Sequence, residues 1–587
     1  MALPVDSASR VLGPDRPEEP PATPAAKPGR FARRMARMRT GLPRTALAVA
    51  AGLTLAAAFP PFDLWPLSIV AVAALSLLTR GRTARQGAWT GFAFGLPFFL
   101  WLLDWIRVIG SDAWIGLSVA EALFVCALGA GLALTSRLPG WPLWAACLWV
   151  TQEWARDRLP LGGFPWGRLA FANTASPYTP LAAWGGAPLV TFAVALTGAL
   201  LAYLVAPYLR RLPAVPALPG LTAPAARTGL PRGPRPAAGR PRRAVVLPVL
   251  AGTCAVVVSV AGYGVPVPVT GSQSVKMAVI QGNVPNPGMD FLGRPMQVLD
   301  NHASATERLA AQVKAGTAPR PDVVIWPENS SDLDPFSVPA AYQRIDEAVK
   351  AIGVPTLVGT LVDGPDNQHV QNEGIVWDPQ NGPGAHYTKQ HPVPFGEYVP
   401  FRSVLMKVIT RLQRVARDFY PGKGTGVMQL GPARIGDVIC FEVAYDEIVR
   451  STVNDGGRVI VVQTNNATYA KSGQPDQQLA MSRLRAVEHG RAVVIAATSG
   501  ISAIIRPDGT VQSRSAELVP AELTADVPLR DGTTLADQVG AAPEWTLAVL
   551  GLLACGGAVL LGRRRKGDGA TPDGTPDQGE PLTTVAP

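Results

Sequence analysis

Two textures alternate along the chain. Long apolar runs almost free of charge fall at roughly 44–59, 64–79, 88–106, 114–135, 139–152, 181–206 and 244–266, with one more at 545–562. They predict about eight membrane-spanning helices, with soft ends because several are shorter than the ~20 residues a bilayer core asks for. Between the seventh and eighth runs the pattern changes. Short β-branched stretches at 275–281, 322–326, 354–360, 374–377, 435–440, 458–463, 491–497 and 501–506 predict strands, and 296–315, 338–352 and 475–490 predict helices. Strands alternating with helices predict a layered α/β domain within 267–544, its core at about 275–528.

Charge orients this arrangement. Apolar residues make up 48% of the 587 and charged residues only 16%, a deficit confined to the apolar runs. The net charge of +10 does not point to nucleic acid, because the basic residues cluster beside those runs. Arg80, Arg82 and Arg85 follow the second run, and the Pro-rich loop at about 207–243 carries eight arginines and no acidic residue. Arg563, Arg564, Arg565 and Lys566 follow the eighth run. Short cytoplasmic segments are rich in Lys and Arg. With eight crossings, all three blocks share the side of the basic leader, and 267–544 lies outside the cytoplasm. The expected organisation is a disordered cytoplasmic leader (1–43), a seven-span membrane domain (44–266), the extracytoplasmic domain, a last span (545–562) and a disordered cytoplasmic tail (563–587). Residues 45–58 also read as a cleavable signal sequence, which would leave the downstream sidedness unchanged.

Candidate chemistry lies in the aqueous domain. Of five cysteines, Cys126, Cys147, Cys254 and Cys555 sit in apolar runs, and Cys440 alone ends a strand-like stretch. Scattered histidines and the absence of a CxxC pair give no zinc spacing, so no metal or cofactor is expected. Glu328 follows an apolar strand within Trp326-Pro-Glu-Asn329, and Lys389 stands in a lysine-poor chain shortly before Pro394-Phe-Gly-Glu397-Tyr398. Chemically these residues form an acyl-transfer set. A thiol is mostly protonated near neutrality and needs a base or a cation. Glu328 could take its proton, Lys389 could balance a thiolate and an oxyanion, and the Phe441 N–H could donate to that oxyanion. Glu397 could orient Lys389 or assist proton transfer. Taken singly, each residue has a plainer reading: a carboxylate after a strand as a turn or cap residue, a lone lysine on the surface, a cysteine as a small buried apolar group. Spacing alone does not bring them together.

The ordered segments WPE, YTKxHxVPFGEYVP and ICFE resemble the nitrilase superfamily with its Glu-Lys-Cys triad. Together with the eight-span scaffold they resemble the bacterial apolipoprotein N-acyltransferase family. Further matching segments are Phe59-Pro-Pro-Phe-Asp63, Gly163-Phe-Pro-Trp166, Gln281-Gly-Asn-Val-Pro285, Thr464-Asn-Asn466 and Met481-Ser-Arg483-Leu-Arg485-Ala-Val-Glu488. The resemblance spans roughly 44–560. It implies a nitrilase-like αββα sandwich outside the cytoplasmic (inner) membrane. Glu328 would be general base, Lys389 oxyanion and thiolate stabiliser, and Cys440 acylated nucleophile, with Glu397, Phe441 and Glu442 as supporting or substrate-binding residues. A membrane phospholipid would donate the acyl chain, and a diacylated apolipoprotein would accept it on its N-terminal amine. Two departures stand out: Phe441 replaces a frequent Tyr, and Asn465-Asn466-Ala-Thr-Tyr469 replaces an Asn-Asp-x-Trp-Phe pattern.

Two lipid-anchored substrates demand a site at the membrane surface. The loops at 284–296 and 395–421, with Phe291, Phe395, Phe401, Phe419 and Tyr420, are candidates for lipid contact or ordinary loop packing. Arg107, Asp112, Glu121 and Glu153 lie in or beside spans, and Glu121 is expected either to be paired inside the bundle or to line a cavity. A membrane-anchored amidase using water as acceptor would need the same triad, but a single anchor would serve it. A transporter is disfavoured because the spans show no inverted repeat.

Overall fold

The structure, a computed structural model, describes residues 30–209, 241–288 and 295–567. Phe291, most of the 207–243 loop and the tail from residue 568 lie outside the described residues. Eight helices form an apolar bundle: α1 (Arg30–Ala56), α2 (Pro66–Thr79), α3 (Ala84–Leu102), α4 (Ser111–Thr135), α5 (Trp141–Arg156), α6 (Ala182–Leu209), α7 (Pro241–Val260) and, at the far end of the chain, α14 (Ala542–Gly567). Among the described residues, four helical stretches are long and apolar enough to cross a membrane: Ser111–Thr135, Thr179–Leu209, Val246–Gly264 and Ala542–Arg564. Leu42–Ala56 and Pro66–Thr79 are apolar but shorter. Val246, Leu250, Val257, Leu553 and Leu560 are exposed on the outside of α7 and α14, the surface expected of helices that face lipid. The helices α3 and α4 meet backbone to backbone. A Cβ on Gly91 would stand 2.2 Å from the Val125 carbonyl oxygen, so only glycine permits that approach.

Helix α1 begins at Arg30, within the segment read as the leader. Arginine, alanine and methionine favour helix, and a helix nucleated in the apolar run extends back through them at little cost.

Between α7 and α14 lie the strands β1 (Gln273–Gln281), β2 (Val323–Ile325), β3 (Thr356–Asp363), β4 (His369–Asp378), β5 (Gly382–Thr388), β6 (Asp418–Phe419), β7 (Val427–Leu430), β8 (Ala433–Ile439), β9 (Val459–Thr464), β10 (Val493–Ala497), β11 (Ala503–Ile505), β12 (Val511–Arg514) and β13 (Ala521–Leu529). They make two sheets. One runs β13-β1-β2-β3-β4-β5 with β6 beside β4, and the other runs β12-β11-β10-β9-β8-β7. The helices here are α8 (Pro295–Lys314), α9 (Pro339–Ile352), α10 (Arg402–Val408), α11 (Asp446–Asn454), α12 (Gln474–His489) and α13 (Leu535–Val539).

Period-two alternation sorts the core. Met277, Val279 and Ile325 face Ile435, Val461 and Val494 between the sheets. Their neighbours Ala278, Ile280 and Val324 turn outward onto α8 and α9. On the other sheet Val438, Ile460 and Ile495 pack on α11 and α12, in a cluster that continues unbroken into the bundle through Phe94, Phe171 and Val190. The two parts of the molecule therefore share one core, with α12 at the seam.

Candidate active site

Three strand ends converge. β2 leads through buried Trp326 and Pro327 to Glu328, β5 leads to Lys389, and β8 leads to Cys440. The turn holding Glu328 is pinned from below. Trp326 Nε1 donates to Thr306 Oγ1 at 2.9 Å, and Gln463 Nε2 donates to the Trp326 carbonyl at 2.6 Å. Cys440 has φ +56°, a left-handed conformation uncommon for a non-glycine residue, and opens the short 3-10 helix Cys440–Ala444.

The charged groups form a buried chain. Lys389 Nζ donates to Glu328 Oε1 at 3.0 Å and to Glu397 Oε1 at 2.7 Å, and Lys389 is 2% exposed. Glu328 also accepts from Asn372 Nδ2 at 2.7 Å and from the Asn465 backbone N–H at 2.8 Å. The second oxygen of Glu397 accepts from the Val393 N–H at 2.8 Å, which fixes that loop over the lysine. Burial alone would lower the Lys389 ammonium, but the two flanking carboxylates outweigh it and hold it well above its ordinary value. Burial pushes Glu397 up, against the pull of Lys389.

Cys440 is partly accessible. Thr464 Oγ1 lies 3.3 Å from its Sγ, and Gln478 Nε2 donates to its carbonyl at 3.0 Å. Burial and then the charge of Glu328 push the thiol up to about 12, against Lys389 and the Thr464 hydrogen bond. The resting group is a thiol, and a thiolate can form only as its proton is taken.

Glu442 ties the pieces together and is fully buried. It accepts from the N–H groups of Ile439, Gln390 and His391 at 2.7, 2.7 and 3.1 Å and from the Tyr387 hydroxyl at 3.0 Å. Two of those donors follow Lys389 directly and one precedes Cys440, so Glu442 locks the lysine loop to the nucleophile turn. Phe441 points to the bundle. It stacks on Phe164 (5.5 Å between ring centroids) and Trp166 (5.8 Å, planes 9° apart), and Trp166 Nε1 donates to Gln477 Oε1 at 2.6 Å.

All six sequence-predicted residues thus lie in one neighbourhood. Sequence reasoning missed Asn372, Thr464 as a partner of the sulfur, Gln478 and the Phe164–Trp166 stack. Thr464 and the Gly163–Trp166 segment lie within segments that matched the family, but nothing local to Asn372 distinguishes it. Of the loop aromatics, Phe395, Phe401 and Tyr420 are exposed while Phe419 is half-buried. Glu121 is paired, as expected, with Arg156 at 3.1 Å inside the bundle.

The sequence of an apolipoprotein N-acyltransferase from Mycolicibacterium smegmatis is 41% identical over 564 residues, which cover 93% of this chain and 90% of that protein. The chain belongs to the apolipoprotein N-acyltransferase family. The family's N-terminal domain matches residues 51–200, and the carbon-nitrogen hydrolase domain matches residues 276–536. An apolipoprotein N-acyltransferase from Azotobacter vinelandii is 29% identical over 557 residues, covering 91% of this chain and 98% of that protein. Among solved structures, an amidase from Nesterenkonia sp. aligns with 47% of this chain and 97% of its own at 19% identity, with a TM-score of 0.34. Membership in the apolipoprotein N-acyltransferase family places a carbon-nitrogen hydrolase fold and apolar helices in one enzyme of the acyltransferase class.

Proposed function

We propose that this protein takes a fatty acyl chain from a membrane phospholipid and transfers it, through a thioester on Cys440, to the N-terminal amine of diacylglyceryl-cysteine on exported apolipoproteins. Glu328 takes the Sγ proton as sulfur attacks the ester carbonyl. Lys389 and the Phe441 N–H balance the oxyanion. The ester C–O bond breaks, Glu328 returns the proton to the departing lysophospholipid oxygen, and the acyl-enzyme remains. The amine then attacks the thioester, Glu328 accepts its proton, and the proton returns to sulfur as the amide forms. Glu397 keeps Lys389 in place, while Glu442 and Phe441 hold the nucleophile turn against the lysine loop and the bundle.

The observation that carries this reading is the buried Glu328–Lys389–Glu397 chain, set at strand ends that converge with the end of β8 carrying Cys440. The basic blocks support eight crossings of the bacterial cytoplasmic membrane, with the catalytic domain on the extracytoplasmic face. Such a site would lie against the outer leaflet, where both lipid-anchored substrates can reach it.

The full chain, incubated with phospholipid and a diacylated lipopeptide, is expected to yield N-acylated peptide and an intact-mass acyl adduct on Cys440. Cys440→Ala should give neither. Fatty acid released without N-acylated peptide would make the protein a hydrolase.

A further inference from the structure

A buried ion cluster crosses the seam between bundle and catalytic domain and ends on the turn that carries Cys440. Arg168 lies on the segment joining α5 to α6 and is 2% exposed. Its Nη1 donates to Asp446 Oδ1 at 2.7 Å, and its Nε lies 3.4 Å from Asp157 and 3.7 Å from Glu153. Asp446 opens α11, directly behind the nucleophile turn. The same Oδ1 accepts from Arg485 Nη2 at 2.6 Å. Arg485, fully buried on α12, also donates from Nε to the Val443 carbonyl and from Nη2 to the Ala444 carbonyl, both at 2.8 Å, and pairs with Glu488. Those two carbonyls close the 3-10 helix that Cys440 opens, and a cation at a helix's carbonyl end stabilises it. Burial alone would raise Asp446, but the two guanidiniums outweigh it and hold the carboxyl below its ordinary range.

We propose that Arg168 is a positioning residue: through Asp446 and Arg485 the bundle sets the orientation of the Cys440 turn, and acylation of the sulfur depends on that grip. The proposal rests on Cys440 being the acylated nucleophile. Adhesion between the two parts does not need these ions, because the Phe164–Trp166–Phe441 stack and the shared apolar core supply it. A buried ion cluster adds little net stability but fixes direction. The direction fixed here is that of a residue in a strained left-handed conformation, which its surroundings must over-determine.

A cavity of about 770 Å³ at the same seam is lined by Arg168, Asp446, Tyr445 and His391, and it makes the idea testable by chemical rescue. In full-length Arg168→Ala, single-turnover acylation of Cys440, read by intact mass, is expected to fall by about 10²-fold with little change in the lipid concentration giving half-maximal rate. Millimolar guanidinium should restore part of that rate while leaving the unsubstituted protein unchanged. Arg168→Lys, which keeps the charge but loses the planar fork, should fall between the two. Unchanged acylation in folded Arg168→Ala, or a loss that guanidinium does not relieve, overturns the proposal. Should Arg168→Ala fail to fold, Asp446→Asn decides in its place, and an undiminished rate there is equally fatal. Absence of the Cys440 adduct in the unsubstituted protein would instead remove the nucleophile reading beneath it.

Discussion

At Cys440 two neighbours pull the thiol in opposite directions, Glu328 discouraging the thiolate and Lys389 favouring it, within surroundings that already disfavour charge. A thiol pushed up to about 12 keeps its proton at every physiological pH. Its reaction with iodoacetamide should therefore climb about tenfold per pH unit from neutrality past pH 10, with no plateau near the ~8.5 of a free cysteine. Glu328→Gln separates electrostatics from proton transfer. Losing the carboxylate removes a charge that raises the thiol, so alkylation at a fixed alkaline pH should accelerate. Acyl transfer should fall by about 10²–10⁴-fold, because no base remains to take the proton. Kinetics of the two reactions on one variant check this, and parallel changes in both would sink the base role. Lys389→Met acts differently, leaving Glu328 and Glu397 buried without their common cation. Breaking a buried ion pair from one side costs about 3–5 kcal/mol, so denaturant unfolding should show a loss of that order alongside lost transfer. A Lys389→Met protein as stable as the parent would mean that the carboxylates are not ionised together.

Among the elements, the turn after β2 depends on a glycine one strand away. A Cβ on Gly359 in β3 would stand 2.2 Å from the Pro327 carbonyl oxygen and 2.8 Å from the Glu328 Cα. Gly359→Ala must push the Glu328 turn off its partners, since backbone cannot yield as a side chain tip can. The expected cost is about 1–3 kcal/mol of stability, with a proportionally larger loss of transfer than of lipid binding. Wild-type transfer by Gly359→Ala would show that the turn has slack. Much of this element structure was legible. β1, β2, β8, β9 and β10 fall within a residue or two of their β-branched stretches, and α8, α9 and α12 match nearly end to end. Three of the missed strands share a physical cause. β5 begins Gly-Pro-Gly, β12 is polar and exposed, and β13 carries Pro528, so each takes its conformation from pairing with a neighbour and not from local pattern. Site contacts were less legible still. Glu328 meets Lys389 across 61 residues and the Asn465 N–H across 137, separations that no spacing rule reaches. The candidate triad came from family likeness, whereas Asn372 carries no local mark at all.

For the whole molecule, the shared core and the Arg168–Asp446–Arg485 cluster leave the catalytic domain little freedom to turn on the bundle, so the side of the membrane it faces follows from the charges that flank the helices. The blocks Arg80–Arg85 and Arg563–Lys566 sit at the ends of α2 and α14, and the arginine-rich stretch 207–243 joins α6 to α7. Lys and Arg in short segments beside spans are retained on the cytoplasmic side. A chain threaded the other way would have to move all three blocks across the bilayer. Sidedness can be read by labelling with a membrane-impermeant maleimide after replacing the native cysteines. A cysteine placed by Asn381→Cys lies on the exposed turn between β4 and β5 and should react in intact spheroplasts. One placed by Arg563→Cys, at the exposed end of α14, should react only after the membrane is opened. The reverse pattern would put the thiol on the cytoplasmic side, out of reach of exported lipoproteins, and the acceptor proposed for this enzyme would have to be abandoned even if the Cys440 adduct forms.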